Sequence, residues 1–217
     1  DLLEQLGADV IGVDLDDEGM VPEQLCAALC NKPTALFMQP RAHNPTGVTM
    51  STRRAKVLAD ILIADGPGVT LVEDDHSGDI ASGGLVSLGR WLPSRTVHIR
   101  SYSKSHGPDL RLAAVGGAGE VVTAVANRRL LGPGWSSRIL QAMLLQMLTH
   151  EHTIETVRAA RDEYARRRAT VMQVLERAQV PVTGSDGINL WMQVRDERSA
   201  LLTLAAQGIG AAPGEPF

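Results

Sequence analysis

The sequence predicts an α/β fold: a mostly parallel sheet with helices on both faces, followed by the start of a small C-terminal α+β unit. Three observations predict it. Short β-rich runs alternate with stretches of helical spacing. The runs ALFM (Ala35–Met38), VTLV (Val69–Val72) and VHI (Val97–Ile99) are apolar in succession, as in strands buried on both faces. Each is followed by a polar motif, HNPTG, EDDH or SYSKS, and in open α/β sheets ligands gather at that strand edge.

Taken in order, DLLEQLGADV has the character of a helix tail running into a strand at Val10–Val13. Pro22 suits a first helical position, and Glu23–Cys30 carries helical spacing. After the strand Ala35–Met38, the prolines, Asn and Gly of PRAHNPTG force a loop. Thr49 or Ser51 is placed to cap a helix over Thr52–Asp65, with Val57, Leu58, Ile61 and Leu62 on one face. Strands follow at Val69–Val72, Val97–Ile99 and Leu112–Val115, the last closed by Gly116–Gly117. Helices are expected at Ser137–His150 and Thr153–Ala178, a β-like run at Ile188–Val194, and a short helix at Glu197–Gln207. GAAPGEPF closes the sequence as a strand-like run and a turn. Both ends look cut, so the expected division is a partial large domain over 1–152, then a linking helix and an incomplete small domain over 153–217.

Bulk properties narrow the function. Of the 217 residues, 44% are hydrophobic and only 3% aromatic, so the core is aliphatic. Net charge is −4 and no Lys/Arg cluster dominates a segment, which argues against nucleic-acid binding by this stretch itself. No apolar run reaches the ~18 residues of a membrane helix, so no membrane partner is expected. Cys26 and Cys30 are expected to be small, core or semi-buried thiols rather than a disulfide, which suits a cytoplasmic protein. His150 and His152 flank a glutamate without a third ligand on their face, so no metal site is expected. Gly116, Gly117 and Gly119 are taken as strand-end turns, not a nucleotide fingerprint. The Arg158–Arg168 stretch, interleaved with acids, is taken as a solvated helix surface.

The chemistry concentrates in SYSKSHGPDLR. A lysine on a strand-end loop is most often a solvated charge. Lys104, however, has the hydroxyls of Ser101 and Ser103 beside it and the guanidinium fork of Arg111 seven positions on, a set suited to a phosphate. A lysine amine next to phosphate-binding groups points to a cofactor carrying both an aldehyde and a phosphate, and pyridoxal 5'-phosphate is the obvious one. Such a cofactor needs a carboxylate to hold its pyridine nitrogen protonated. VEDDHSGD supplies Glu73, Asp74 and Asp75 at a strand end, where Asp74 and Asp75 face opposite ways, so only one of them can serve. Asn44 of HNPTG is a neutral donor for the ring's phenolic oxygen, and His76 is a second candidate.

In this order and spacing HNPTG, the acidic strand end, SxSK and the arginine at plus seven resemble the class I/II aminotransferases of pyridoxal-phosphate fold type I, over the whole chain. PRAHNPTGVTMS, VEDDHSGDIA and the YARRR helix (Tyr164–Arg168) are more narrowly similar to the aminotransferase-like domain of MocR regulators, a GntR-class group with an N-terminal winged helix-turn-helix. The resemblance implies a Schiff base at Lys104, Asp74 as the pyridinium partner, and Asn44 on the phenolic oxygen, with His76 where a tyrosine is usual. It implies phosphate contacts from Ser101, Ser103 and Arg111, and places Asn189 of GINLW on the strand that approaches the substrate. The implied activity is transamination of an amino acid or amine by a homodimer. As a regulator domain, the same site would instead sense an effector, and DNA would be met only through an N-terminal domain outside this sequence.

Overall fold

The computed structural model describes residues 2–132 and 134–215; Asp1, and Pro216 and Phe217 of the closing run, lie outside them. In chain order the elements are α1 (Leu2–Gln5), β1 (Leu15–Asp16), β2 (Gly19–Met20), α2 (Pro22–Leu29), β3 (Ala35–Met38), α3 (Thr52–Ala64), β4 (Thr70–Asp75), β5 (Thr96–Ser101), β6 (Ala113–Gly117), α4 (Gly119–Leu130), α5 (Arg138–Thr149), α6 (Glu151–Arg177), β7 (Val182–Thr183), β8 (Trp191–Met192) and α7 (Glu197–Ala206). The central sheet has the order β3-β4-β5-β6, parallel across the first three strands, with β6 antiparallel on β5. Two-stranded ribbons, β1-β2 and β7-β8, lie outside it. No described helix is long and apolar enough to cross a membrane.

The main core lies between α2, α3 and one face of the sheet. Ala55, Leu58, Ala59 and Leu62 recur at helical spacing along α3 and are each fully buried, joined by Leu25 and Leu29 from α2 and Leu71 from β4. Each such leucine contributes about 1.5–3 kcal/mol of burial free energy. Pro22 starts α2, and Ser51 rather than Thr49 caps α3, its hydroxyl accepting the Arg54 N–H at 3.0 Å. A smaller cluster of Leu110, Leu112 and Leu144 seats α5 against the stretch that follows β5. On the opposite face of the sheet, Phe37 and Val115 remain exposed.

Several expectations need correction. Val10–Val13 forms no strand. Val10 and Ile11 are exposed and have no neighbouring strand to complete a ladder, and the nearest pairing is β1-β2. The acidic run EDD belongs to β4 itself instead of following it. Residues 119–130 are helical, and the glycine at 119 stands at the helix start. Only Trp191–Met192 of the Ile188–Val194 run pairs as a strand. Cys26 and Cys30 are free but exposed, because α2 turns Leu25, Ala28 and Leu29 to the core instead.

Candidate active site

Strand alternation sorts the acidic run. Leu71, Glu73 and Asp75 face the α2/α3 core and are fully buried, whereas Thr70, Val72 and Asp74 face the other way. In register, Asp74 lies beside Ile99 of β5, so Ser101, two residues on, shares its face. On its other side Met38 pairs with Glu73, which sets Gln39 beside Asp74. Three adjacent strand ends thus present Gln39, Asp74 and Ser101 on one face.

The buried carboxylates are committed to structure. The Arg41 fork grips Asp75 through two hydrogen bonds of 2.8 Å, Arg100 adds a third, and Arg100 also reaches Asp79 at 2.6 Å. Burial alone would raise the Asp75 carboxyl, but His98, Arg41 and Arg100 outweigh it and hold it far below the usual range. Glu73 accepts the Leu88 N–H at 2.6 Å and meets His98 Nδ1 at 3.2 Å. Asp75 first, then Glu73, raise the His98 imidazole to about 9 against the effect of burial. A raised native value stabilises the fold fully below the unfolded value near 6.5, and that contribution is lost as pH rises through about 9. Unfolding free energy is therefore expected to fall between these limits by up to about 3 kcal/mol, and His98→Gln is expected to flatten the fall. Urea midpoints measured from pH 6 to pH 9.5 check this; equal slopes in both proteins would contradict it.

Asp74 differs. Its one hydrogen-bond partner among the described residues is the neutral Gln39 amide, Nε2 to Oδ2 at 3.0 Å. Gln39 Oε1 in turn accepts the Asn44 N–H at 2.7 Å, and Asn44 Oδ1 accepts from Asn189 Nδ2 at 2.8 Å. A string of uncharged amides therefore joins Asn189, Asn44 and Gln39 to Asp74, and Asn44 Nδ2 donates to none of the described residues. His76 is tied down by an Nε2 bond of 2.8 Å to the Ala42 carbonyl. Ser103 donates its N–H to Ser101 Oγ at 3.3 Å. Lys104 is exposed in the turn that follows β5, closed by a bond from His106 N–H to the Tyr102 carbonyl. Arg111 is exposed, with φ 48°, just after the turn Pro108–Leu110. No hydrogen bond among the described residues joins Lys104 or Arg111 to the amide string.

Sequence reasoning missed the residues that bring Asn189 to Asn44. Asp186 is buried and accepts from Ser82 N–H at 2.6 Å, Ser82 Oγ at 2.8 Å, Gly83 N–H at 2.9 Å, Thr49 Oγ1 at 3.0 Å and Gly187 N–H at 2.7 Å. Burial would raise its carboxyl; the N–H groups of Ser82 and Gly187, the Ser82 hydroxyl and the Gly83 N–H prevail and lower it. Gly83 is required here, because a Cβ would lie 2.6 Å from Asp186 Oδ2. Gly47, at φ 66°, approaches Gly184 so closely that its Cβ would sit 2.6 Å from the Gly184 Cα. Arg168 clasps the same turn through the Gly187 and Ser185 carbonyls, so it does not belong to the solvated surface, unlike Arg166 and Arg167, which pair with Glu163. Asn44 and Asn189 border a cleft of about 490 Å³ lined further by Leu190, Trp191 and Leu204.

The family model for class I and II aminotransferases matches residues 2–217. The chain belongs to this family. Among curated relatives, the vitamin B6 salvage pathway transcriptional repressor PtsJ of Salmonella typhimurium is 34% identical, over 100% of this chain and 50% of its own length. The HTH-type transcriptional regulator TauR of Rhodobacter capsulatus is 31% identical, over 97% of this chain and 44% of its own. Aminotransferase swnA of Metarhizium robertsii is 31% identical, over 79% and 38%. The chain spans about half the length of the first two of these relatives. Among solved structures, the aspartate aminotransferase of Thermus thermophilus with maleate superposes with a TM-score of 0.88 at 24% identity, over 99% of this chain and 58% of that one. An archaeal alanine:glyoxylate aminotransferase gives 0.87 at 24% identity, over 99% and 56%. The aminotransferase fold, α/β with a mostly parallel sheet, is thus the fold of this chain.

Proposed function

We propose that this chain binds pyridoxal 5'-phosphate at Lys104 and acts on an amino acid or amine as an aminotransferase-type domain. The observation that carries the proposal is the contrast along β4. Glu73 and Asp75 are spent on His98, Arg41 and Arg100, while Asp74 has only a neutral amide as its hydrogen-bond partner among the described residues. That is the chemistry a protonated pyridine nitrogen needs. The other residues fit the cofactor too. Asn44 Nδ2, which donates to none of the described residues, suits the phenolic oxygen, and Ser101, Ser103 and Arg111 offer donors for the phosphate. His76 is held through Nε2 by the Ala42 carbonyl.

When bound, the cofactor supplies an aldehyde that takes an amine covalently and a ring that withdraws electrons from the adjacent carbon. Asp74 would hold the ring nitrogen protonated, and Asn44 would orient the ring through its oxygen. Lys104 would hold the aldehyde, and its amine would carry the proton at the substrate α-carbon. Asn189, hydrogen-bonded to Asn44 and beside the cleft, faces the substrate. Residues 1–152 form the cofactor-binding large domain, and 153–217 the linking helix and small domain. The protein works as a homodimer, as the resemblance implies, and its exposed free thiols suit the cytoplasm.

Similarity to PtsJ and TauR favours a second reading, in which the same site senses pyridoxal phosphate or an amine adduct with little turnover. DNA would then be contacted by a segment outside these residues. Both readings share one test. Borohydride reduction of the full-length protein with pyridoxal phosphate, followed by peptide mapping, is expected to label Lys104. A label on any lysine but Lys104, Lys32 and Lys56 being the other two in this sequence, would overturn the assignment. Single-turnover conversion of bound cofactor by amino acids then separates enzyme from sensor.

A further inference from the structure

Gln39 has no part in the assignments above, yet it joins the two halves of the candidate site. It stands one residue beyond β3, beside Asp74, and makes both of the hydrogen bonds described for its amide. Its orientation is dictated by chemistry. A backbone N–H can only donate, so the Asn44 N–H must meet Oε1, which turns Nε2 toward Asp74. One Asp74 oxygen is thereby fixed by a neutral donor, and the other is left to a ligand. An arginine in the same place would fix the carboxylate equally well but cancel its charge, as Arg41 does for Asp75.

We propose that Gln39 is a positioning residue that orients Asp74 without neutralising it and ties that orientation to the Asn44 loop. The inference rests on Asp74 being the partner of the cofactor ring. It also makes Asp74 responsive to ligands: a substrate that moves Asn189 or Asn44 pulls on the same string of amides.

The test uses full-length apoprotein titrated with pyridoxal phosphate, read by visible absorbance for affinity and for the pH midpoint of the bound cofactor's spectrum. Gln39→Glu keeps the acceptor for the Asn44 N–H but loses the donor to Asp74 and sets a second carboxylate against it. Gln39→Met removes both bonds at similar volume. Loss of one hydrogen bond to a charged group corresponds to about tenfold weaker binding. Both variants are expected to show that loss and to move the pH midpoint by roughly half a unit or more. If Gln39→Glu binds as wild type with an unmoved midpoint, Gln39 is merely a loop tether and the inference is wrong. Should Gln39→Glu not fold, the midpoint of Gln39→Met decides, since a tether alone leaves it in place. Asp74→Asn separates the two levels. Wild-type binding by Asp74→Asn removes the ring assignment and this inference together. Lost binding there, with normal Gln39 variants, removes only this one.

Discussion

Asp186→Ala is expected to lower the unfolding free energy of the full-length protein by about 4 kcal/mol, measured by urea denaturation near neutral pH. The carboxylate takes five donors from four different residues, and truncation leaves those on Ser82, Gly83, Thr49 and Gly187 without their acceptor in a buried site. Asp186→Asn is expected to cost less, about 2–3 kcal/mol, because one acceptor oxygen survives while an NH₂ is pushed against existing donors. The pH dependence has the opposite sign to that of His98. A carboxyl lowered in the native state stabilises the fold above its unfolded value near 3.9, and the contribution is lost as pH falls through the lower native value. The alanine variant should therefore lose part of the wild-type acid sensitivity. A cost below about 1 kcal/mol for Asp186→Ala would mean that the turn is held by Arg168 and backbone contacts instead.

Arg41→Ala is expected to cost a similar amount, about 3–5 kcal/mol, for a different reason. Asp75 has no exposed surface, and without the guanidinium fork it keeps its charge with Arg100 and His98 alone. Arg41 also donates to the Gly83 carbonyl at 3.2 Å, so the loop that meets Asp186 loosens at the same time. Replacing both partners separates charge from packing. Arg41→Met with Asp75→Leu is expected to be less destabilised than the sum of its single variants, by about 2 kcal/mol or more in a double-mutant cycle. Additive costs would show that the two residues act independently, against the geometry of the fork.

The sequence made the sheet legible because β3, β4 and β5 are short apolar runs bounded by proline, glycine and charge, although only one face of the sheet is packed against α2 and α3. α3 was equally plain, with its serine cap and its repeat of Leu58 and Leu62. α4 was not, because it begins at a glycine, ends in Arg128 and Arg129, and buries no residue, so its apolar stripe is weak. Val10–Val13 shows the converse: β-branched residues predict a strand only where another strand is present to pair with. Within the candidate site, Asn44, Asp74 and Lys104 stand out in the sequence because each lies in a motif of distinctive local chemistry. Gln39, Asp186 and Arg168 do not, since their roles come from partners far away in sequence. Nothing local in SDG marks a carboxylate that will be buried under the 82–83 loop, and a guanidinium in a charged helix looks solvated until the turn it reaches is placed beside it.

The Asp186 contacts span 137 residues to Thr49 and 104 to Ser82. Closing chain segments of that size costs entropy, although the cost grows only with the logarithm of length. Only when several donors converge on one oxygen pair is that cost offset, and they converge only after both receiving loops have taken shape. The turn at 184–187 therefore acts as a seal: its stability depends on both receiving loops, so loosening either one weakens the closure as a whole.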